Sequence, residues 1–444
     1  MTVMQSVFGQ FRCPEFRITA MSFDLETIRS QFPALADTDN GEGRIYFDNP
    51  AGTQVPMRVV ERMAECMLHA NANLGGGFRT SDLADAIVAD AHDAMADFLN
   101  AASPEEIIFG QNMTTITLHV SRSIGRTLKA GDEIILSQMD HDANVQPWVL
   151  LARDLDLTVR WLPFDKSTFE FDLDRLGDLL NDRSRLVCVG GASNLTGTIN
   201  DVTTISRMAR EAGALTYIDA VQSVPHLATD VQAIGCDFLV CSAYKFFGPH
   251  QGILWGRRDV MEQLEAYKVR PAPDTLPGCF ETGTQSHEGM AGTAAVVDYF
   301  AWIGETMAAG HHNTSPAFSG RRRHVHAALN YLLEYEQTLS QRLIDGLQQI
   351  SGVTIQGITS GDAMIRRVPT VSFTHAELAS ATIAHALAAR NIFVWSGHNY
   401  AVEAAKVLGI YDSGGAVRIG PVHYNSPNEV DQVLIALEDI VSRL

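Results

Sequence analysis

The chain has no apolar run long enough to span a bilayer, which takes about 20 consecutive residues, so no transmembrane helix is expected. Its first twenty residues, MTVMQSVFGQFRCPEFRITA, lack a continuous apolar stretch, which argues against a secretory leader and leaves Met21 as a second candidate start. Basic residues are outnumbered: 33 Lys and Arg against 52 Asp and Glu give a net charge of -19. A surface this acidic repels nucleic-acid phosphates and anionic membranes, so neither is expected as a partner. Cysteine is sparse, and no two of Cys13, Cys66, Cys188, Cys236, Cys241 and Cys279 form a CxxC pair. Neither a zinc site nor a disulfide framework is predicted, no metal is expected, and reduced thiols in a cytoplasmic protein account for these positions. Internal repeats, low-complexity segments and long Pro/Ser linkers are also missing.

What is present, from about residue 45, is a succession of short β-rich runs alternating with helical stretches. IYFD (45–48), IIF (107–109), EIILS (133–137), LTVRWL (157–162), RLVCVG (185–190), LTYID (215–219), DFLVC (237–241) and GILW (252–255) read as strands. Several are apolar without alternation, as strands covered on both faces are. Between them, Ser81 to Asn100 reads as a helix with an apolar stripe of Leu83, Ile87, Ala91, Ala94 and Phe98, and another begins near Thr114. This alternation predicts an α/β domain with a mostly parallel sheet. Past about residue 310 comes a long helix, Ser319 to Ile350, then VPTVSFTH, a helix near 377–390, IFVWSG, VRIGPVHYN and a final helix, an α+β pattern. A length of 444 residues suits such a division. The expected boundaries are a large domain over 45–310, a small one over 311–444, and an N-terminal segment, 1–44, packed with the small one.

Polar residues gather just past the predicted strands. Lys245 follows DFLVC in the run SAYKFFGP, and Asp219 ends LTYID 26 residues earlier. If those strands are neighbours, both side chains emerge at the carboxyl edge of the sheet, where open α/β sheets bind ligands. A lysine held as a neutral amine there can join the carbonyl of pyridoxal 5′-phosphate (PLP), and the carboxylate keeps the pyridine nitrogen protonated. Gln222 is one turn beyond Asp219, within reach of the ring's phenolic oxygen. Asn112-Met113-Thr114-Thr115, between a strand and a helix, offers an anion site for a phosphate. His141 follows EIILS and can lie flat on the pyridine ring, while Asn194 follows RLVCVG and can reach the phenolic oxygen. Taken singly, the lysine is as readily a solvated loop residue, the aspartate a helix cap and Thr114 a plain N-cap. Five such features in order along one sheet point to PLP.

These segments resemble the class V aminotransferase family and, within it, the cysteine desulfurase and selenocysteine lyase branch. YFDNPAGTQ (46–54) is similar to that branch's "LDNAATTQ" segment, Asp219-Ala220-Val221-Gln222 to "D-x-x-Q", and Ser242-x-Tyr244-Lys245 to "S-x-H-K". Phe280-Glu281-Thr282-Gly283-Thr284 is similar to "F-E-x-G-T", and Val417-Arg418-Ile419 through Tyr424-Asn425 to "R-x-S…Y-N". The resemblance implies the fold type I of PLP-dependent transferases and a homodimer with shared active sites. It implies Lys245 as the Schiff-base lysine, Asp219 as the pyridinium partner and His141 as the stacked ring. Asn194 and Gln222 would contact the phenolic oxygen; Met113, Thr114, Ser242 and Tyr244 would bind the phosphate, with Gly283 and Thr284 reaching it from the other subunit. Arg418 would clamp the α-carboxylate of an amino-acid substrate, for which a guanidinium fork is suited. Asn49, Ala51, Gly52, Arg79 and His398 complete the implied substrate contacts.

The departures bear on activity. The branch carries its sulfur-accepting cysteine in a loop of the type "R-T-G-H-H-C"; here the stretch is Trp395-Ser396-Gly397-His398-Asn399-Tyr400, with Tyr400 at the cysteine position. A phenol cannot hold a persulfide. The "N-V-H-R-G-x-H" segment becomes Asn73-Leu74-Gly75-Gly76-Gly77-Phe78-Arg79, and the usual phosphate-binding histidine becomes Tyr244. The expectation is a PLP-dependent lyase that eliminates a β-substituent at a C–S or similar bond of an L-amino acid without a persulfide cysteine. Transamination to a keto acid is the alternative, followed by true cysteine desulfuration and by a catalytically silent PLP-fold binding protein.

Overall fold

The computed structural model describes residues 23–308 and 315–443. Cys13, Met21 and the first half of the expected N-terminal segment lie outside the described residues. The predicted strands assemble into a seven-stranded sheet in the order Ile107–Gly110, Gly252–Gly256, Phe238–Ser242, Leu215–Asp219, Ser184–Gly190, Glu133–Ser137, Thr158–Leu162. Only Gly252–Gly256 runs against the others; the rest of the sheet is parallel. The central strands are buried along almost their whole length, Leu215 alone among the cited positions being only partly buried, the reason their sequences read as apolar runs.

A second, antiparallel sheet forms from Val353–Ile355, Val371–His375, Ala416–Ile419 and Trp395–Gly397. IFVWSG, expected as one strand, breaks at Val394: Trp395–Gly397 joins this sheet, whereas Ile392–Phe393 pairs in parallel with Ile45–Tyr46. The segment around Ile45–Tyr46 is thus stitched to the C-terminal part. Farther upstream, Phe23 stacks on Tyr335 of the long helix Gly320–Leu347, and Arg29 Nη1 donates to Glu429 at 2.8 Å. The final helix, Pro427–Ser442, is set by a capping box between Ser426 and Glu429 with Pro427 at its first position. No helix among the described residues is long and apolar enough to cross a membrane.

The helix Arg79–Leu99 departs from its expected stripe. Leu83 is 36% exposed, and the buried positions at this end are Ser81 and Ala84. Ser81 turns inward because its hydroxyl binds the glycine loop, accepting from the Gly76 N–H at 2.7 Å and donating to the Asn73 carbonyl at 2.7 Å. A polar anchor therefore overrides the apolar period.

Helix His287–Thr306 packs closely on Gly320–Leu347. At Gly304 a Cβ would collide with the main-chain carbonyl of His324. Because that obstacle is backbone, relief requires moving a helix. Gly304→Ala is expected to destabilise the fold by about 1–3 kcal/mol, read as a lower urea midpoint; an unchanged midpoint would show that the helices separate freely.

Candidate active site

Leu215–Asp219 and Phe238–Ser242 are adjacent and parallel, so Asp219 and the turn carrying Lys245 leave the sheet at one edge. The loops after Ser184–Gly190 and Glu133–Ser137 bring Asn194 and His141 to the same edge. There a cavity of about 790 Å³ opens, lined in part by Lys245, Asp219, His141, Asn194, Gln222 and Arg418. Met113, Thr114, Ser242, Tyr244, Ala51 and His398 also border it.

Lys245 Nζ donates to the carbonyl of Pro50 at 2.6 Å, and Gln222 Nε2 donates to the same oxygen at 2.8 Å. Burial of the amine, reinforced by the Arg418 cation, lowers the Lys245 pKa to about 7. Asp219 is buried; its Oδ1 accepts one hydrogen bond, from the Val221 N–H at 2.9 Å, and burial raises its pKa to about 6 against the pull of Lys245. Burial, helped by Lys245 and Arg418, pushes His141 down to about 3, so the imidazole is neutral. Its Nδ1 accepts from the Ala143 N–H at 3.0 Å, which leaves the ring proton on Nε2.

At the end of the cavity bordered by Met113 and Thr114, Asn112 caps the helix Met113–Gly125 by accepting from the Thr115 N–H at 2.9 Å. Ser242 Oγ accepts from the Met113 N–H at 3.0 Å, tying this helix start to the strand that leads to Lys245. Arg418 is buried, donates to the Asn194 carbonyl at 2.9 Å and is lowered to about 10 by burial. The Tyr244 ring stacks on His250, with centroids 5.0 Å apart.

Other expected residues lie outside this cavity. Asn49 is hydrogen-bonded within the fold: its Nδ2 donates to the carbonyls of Tyr46 and Gly420, and Tyr424 donates its hydroxyl to Asn49 Oδ1. Gly52 packs its backbone against the Tyr244 ring, which a Cβ would approach to 3.3 Å. Arg79 is exposed at its helix start. Gly283 and Thr284 are exposed too, and Thr284 borders a separate cavity of about 430 Å³.

Sequence reasoning missed four contributors. Pro50 supplies the carbonyl just described. Asp48, raised to about 6 by burial, sits near Arg418 and Lys245 with a buried, unpartnered Oδ1. Asp140 accepts from Ser137 Oγ at 2.5 Å, the Gly190 N–H at 2.8 Å and Asn144 Nδ2 at 2.7 Å, and burial raises it to about 7. His250 borders both cavities. Asp48 and Pro50 lie inside YFDNPAGTQ and Asp140 adjoins His141, so their neighbours were the available signal.

The sequence pattern of the aminotransferase class-V family matches residues 45–319 and 324–433. The chain belongs to the aminotransferase class-V family. Among its relatives is the aminotransferase-like protein FGM3 of Gibberella zeae, 33% identical over 433 residues, covering 96% of this chain and 100% of that protein. A cysteine desulfurase of Serratia proteamaculans is 31% identical over 435 residues, 95% of this chain and 99% of the other. The solved structure of a cysteine desulfurase from Thermococcus onnurineus NA1 superposes with a TM-score of 0.83 at 28% identity, over 94% of this chain and 98% of that one. The chain is thus an enzyme of a PLP-dependent family with the fold type I architecture.

This class-V site has the unfilled valences that a polar aromatic cofactor needs. Among the described residues, Asn194 Oδ1 and Arg418 Nε are buried without partners, and Asp219 has a single hydrogen bond. Buried polar groups left this way are costly unless a ligand satisfies them. The Lys245 amine provides a direct test. In cofactor-free protein, a small amine-directed acylating reagent should modify Lys245 at a rate that rises with pH and levels off with a midpoint near 7, because only the neutral amine reacts. A midpoint near the ordinary lysine value of about 10.4 would contradict the depressed pKa.

Proposed function

We propose that the protein binds PLP on Lys245 and uses it to eliminate a β-substituent from an L-amino acid, without a persulfide on the enzyme. The observation that carries this reading is the cavity wall: a lysine amine poised near neutrality, a facing buried carboxylate, a buried guanidinium and no thiol. All five described cysteines are buried and unpaired. Burial raises each of their pKa values, the opposite of what a sulfur-accepting thiolate requires.

PLP, when bound, supplies an electron sink for bonds breaking at the substrate α-carbon. Asp219 would pair with the ring nitrogen, Asn194 and Gln222 with the phenolic oxygen, and Thr114, Ser242 and the helix start at Met113 with the phosphate. Arg418 would take the substrate α-carboxylate in its fork. Lys245, displaced from the cofactor by the substrate's amino group and so a free amine, would then remove the α-proton. A β-group that departs as a stable anion, such as a thiolate or sulfinate, needs no acceptor. Transamination is the second reading, favoured by the likeness to an aminotransferase-like protein, and it draws on the same residues. In either case the protein would work in the cytoplasm as a homodimer, with Gly283, Thr284 and Arg79 serving the partner's site; their exposure away from their own cavity supports this.

The test is a panel of L-amino acids assayed together for pyruvate, sulfide and keto acid. Cysteine sulfinate should yield pyruvate faster than cysteine, and Cys279→Ser should retain the parent rate within about 2-fold on both. Keto acids from intact substrates without pyruvate would favour transamination. A protein-bound persulfide formed from cysteine by the parent and lost in Cys279→Ser would overturn the proposal in favour of a desulfurase.

A further inference from the structure

The loop that ends in Tyr400 lines the cavity and is tied down by hydrogen bonds to its neighbours. The Tyr400 carbonyl accepts from the Asp142 N–H at 2.7 Å, and Asn194 Nδ2 donates to the Asn399 carbonyl at 2.6 Å. Within the loop, the Tyr400 N–H donates to His398 Nδ1 at 3.0 Å, and Asn399 Nδ2 donates to the Gly397 carbonyl at 2.9 Å. Asn399 and Tyr400 are both left-handed, with φ of +50° and +58°. Two successive non-glycine residues in that region are uncommon, an aromatic one especially, and such conformations persist where the surroundings impose them. The outcome is a Tyr400 side chain that is 66% exposed and yet directed: its ring stacks on His141, with centroids 5.4 Å apart and planes 19° from parallel. His398, behind it, stacks on Tyr411 at 5.5 Å.

Among the described residues the His141 side chain makes one hydrogen bond, from the Ala143 N–H to Nδ1. One hydrogen bond at the edge of an imidazole does not by itself fix the plane of the ring. A second aromatic plane stacked on it does. Resting on the PLP reading above, we propose that Tyr400 is a positioning residue that acts through His141, backing one face of the imidazole so that the other is presented to a flat cofactor ring in the cavity. The loop is accordingly a fixed wall, and the tyrosine contributes its ring rather than its hydroxyl.

The holoenzyme tests this with Tyr400→Phe and Tyr400→Ala, read by the visible circular dichroism of bound PLP, the PLP dissociation constant and the thermal midpoint. An aromatic stack of ordinary strength predicts that Tyr400→Ala weakens PLP binding by about 3- to 10-fold and alters the dichroic band. Tyr400→Phe should keep both within about 2-fold of the parent. The thermal midpoint of the cofactor-free protein should be the same in all three, since the side chain is exposed. Tyr400→Ala indistinguishable from the parent in band and affinity would overturn the inference. So would Tyr400→Phe as impaired as Tyr400→Ala, which would assign the role to the hydroxyl. A parent that takes up no PLP would remove the underlying reading and the inference together, and the parent's own spectrum separates that failure from the other two.

Discussion

The carbonyl oxygen of Pro50 accepts hydrogen bonds from Lys245 Nζ and from Gln222 Nε2, and the site is assembled around that oxygen. Its own position is fixed from two sides. Asn49 binds the carbonyls of Tyr46 and Gly420, and Tyr424 donates to Asn49. Gly420 follows the strand that carries Arg418, and a Cβ on Gly420 would run into the Pro50 ring. Two segments about 370 residues apart in the chain are therefore held together by contacts, at the carbonyl that accepts from the lysine. The guanidinium and the amine are set relative to each other by this junction, and one substitution in it would disturb both.

The junction confines charge in a poorly solvated space. Asp48, Asp219 and Asp140 are raised to about 6, 6 and 7, while Lys245 and Arg418 are lowered to about 7 and 10; in each, burial is the largest cause. Desolvating five ionisable groups costs stability, and a chain selected for folding alone would not keep them there. Such clustering of perturbed groups in a cleft marks a place where protons are handled. The lysine matters most, because an amine that is half deprotonated near pH 7 can act as nucleophile and base at a pH where Asp48 and Asp219 are still largely ionised.

Much of this was legible before any coordinates. The large sheet could be read because its central strands are covered on both faces and so spell out apolar runs. Lys245, Asp219, His141 and Asn194 could be read because each stands a few residues past one of those runs, and a parallel sheet delivers such positions to one edge. Asp48 and Pro50 could not, since their roles come from contacts with residues roughly 170 to 370 positions away in the chain. Asn49, expected to contact the substrate, also clamps the junction through its hydrogen bonds to Tyr46, Gly420 and Tyr424, which the sequence pattern did not show. Leu83 looked buried by periodicity, but the glycine loop claims Ser81 and turns the helix. The departure at Tyr400 was visible as a missing thiol; its stacking on His141 depends on a left-handed turn that composition does not announce.

The account stands on one covalent link. Borohydride reduction of the purified holoenzyme, followed by digestion and mass spectrometry, reads it directly. The account predicts a pyridoxyl phosphate adduct on the peptide that contains Lys245 and on no other lysine. No adduct, or one on a different lysine, would contradict it.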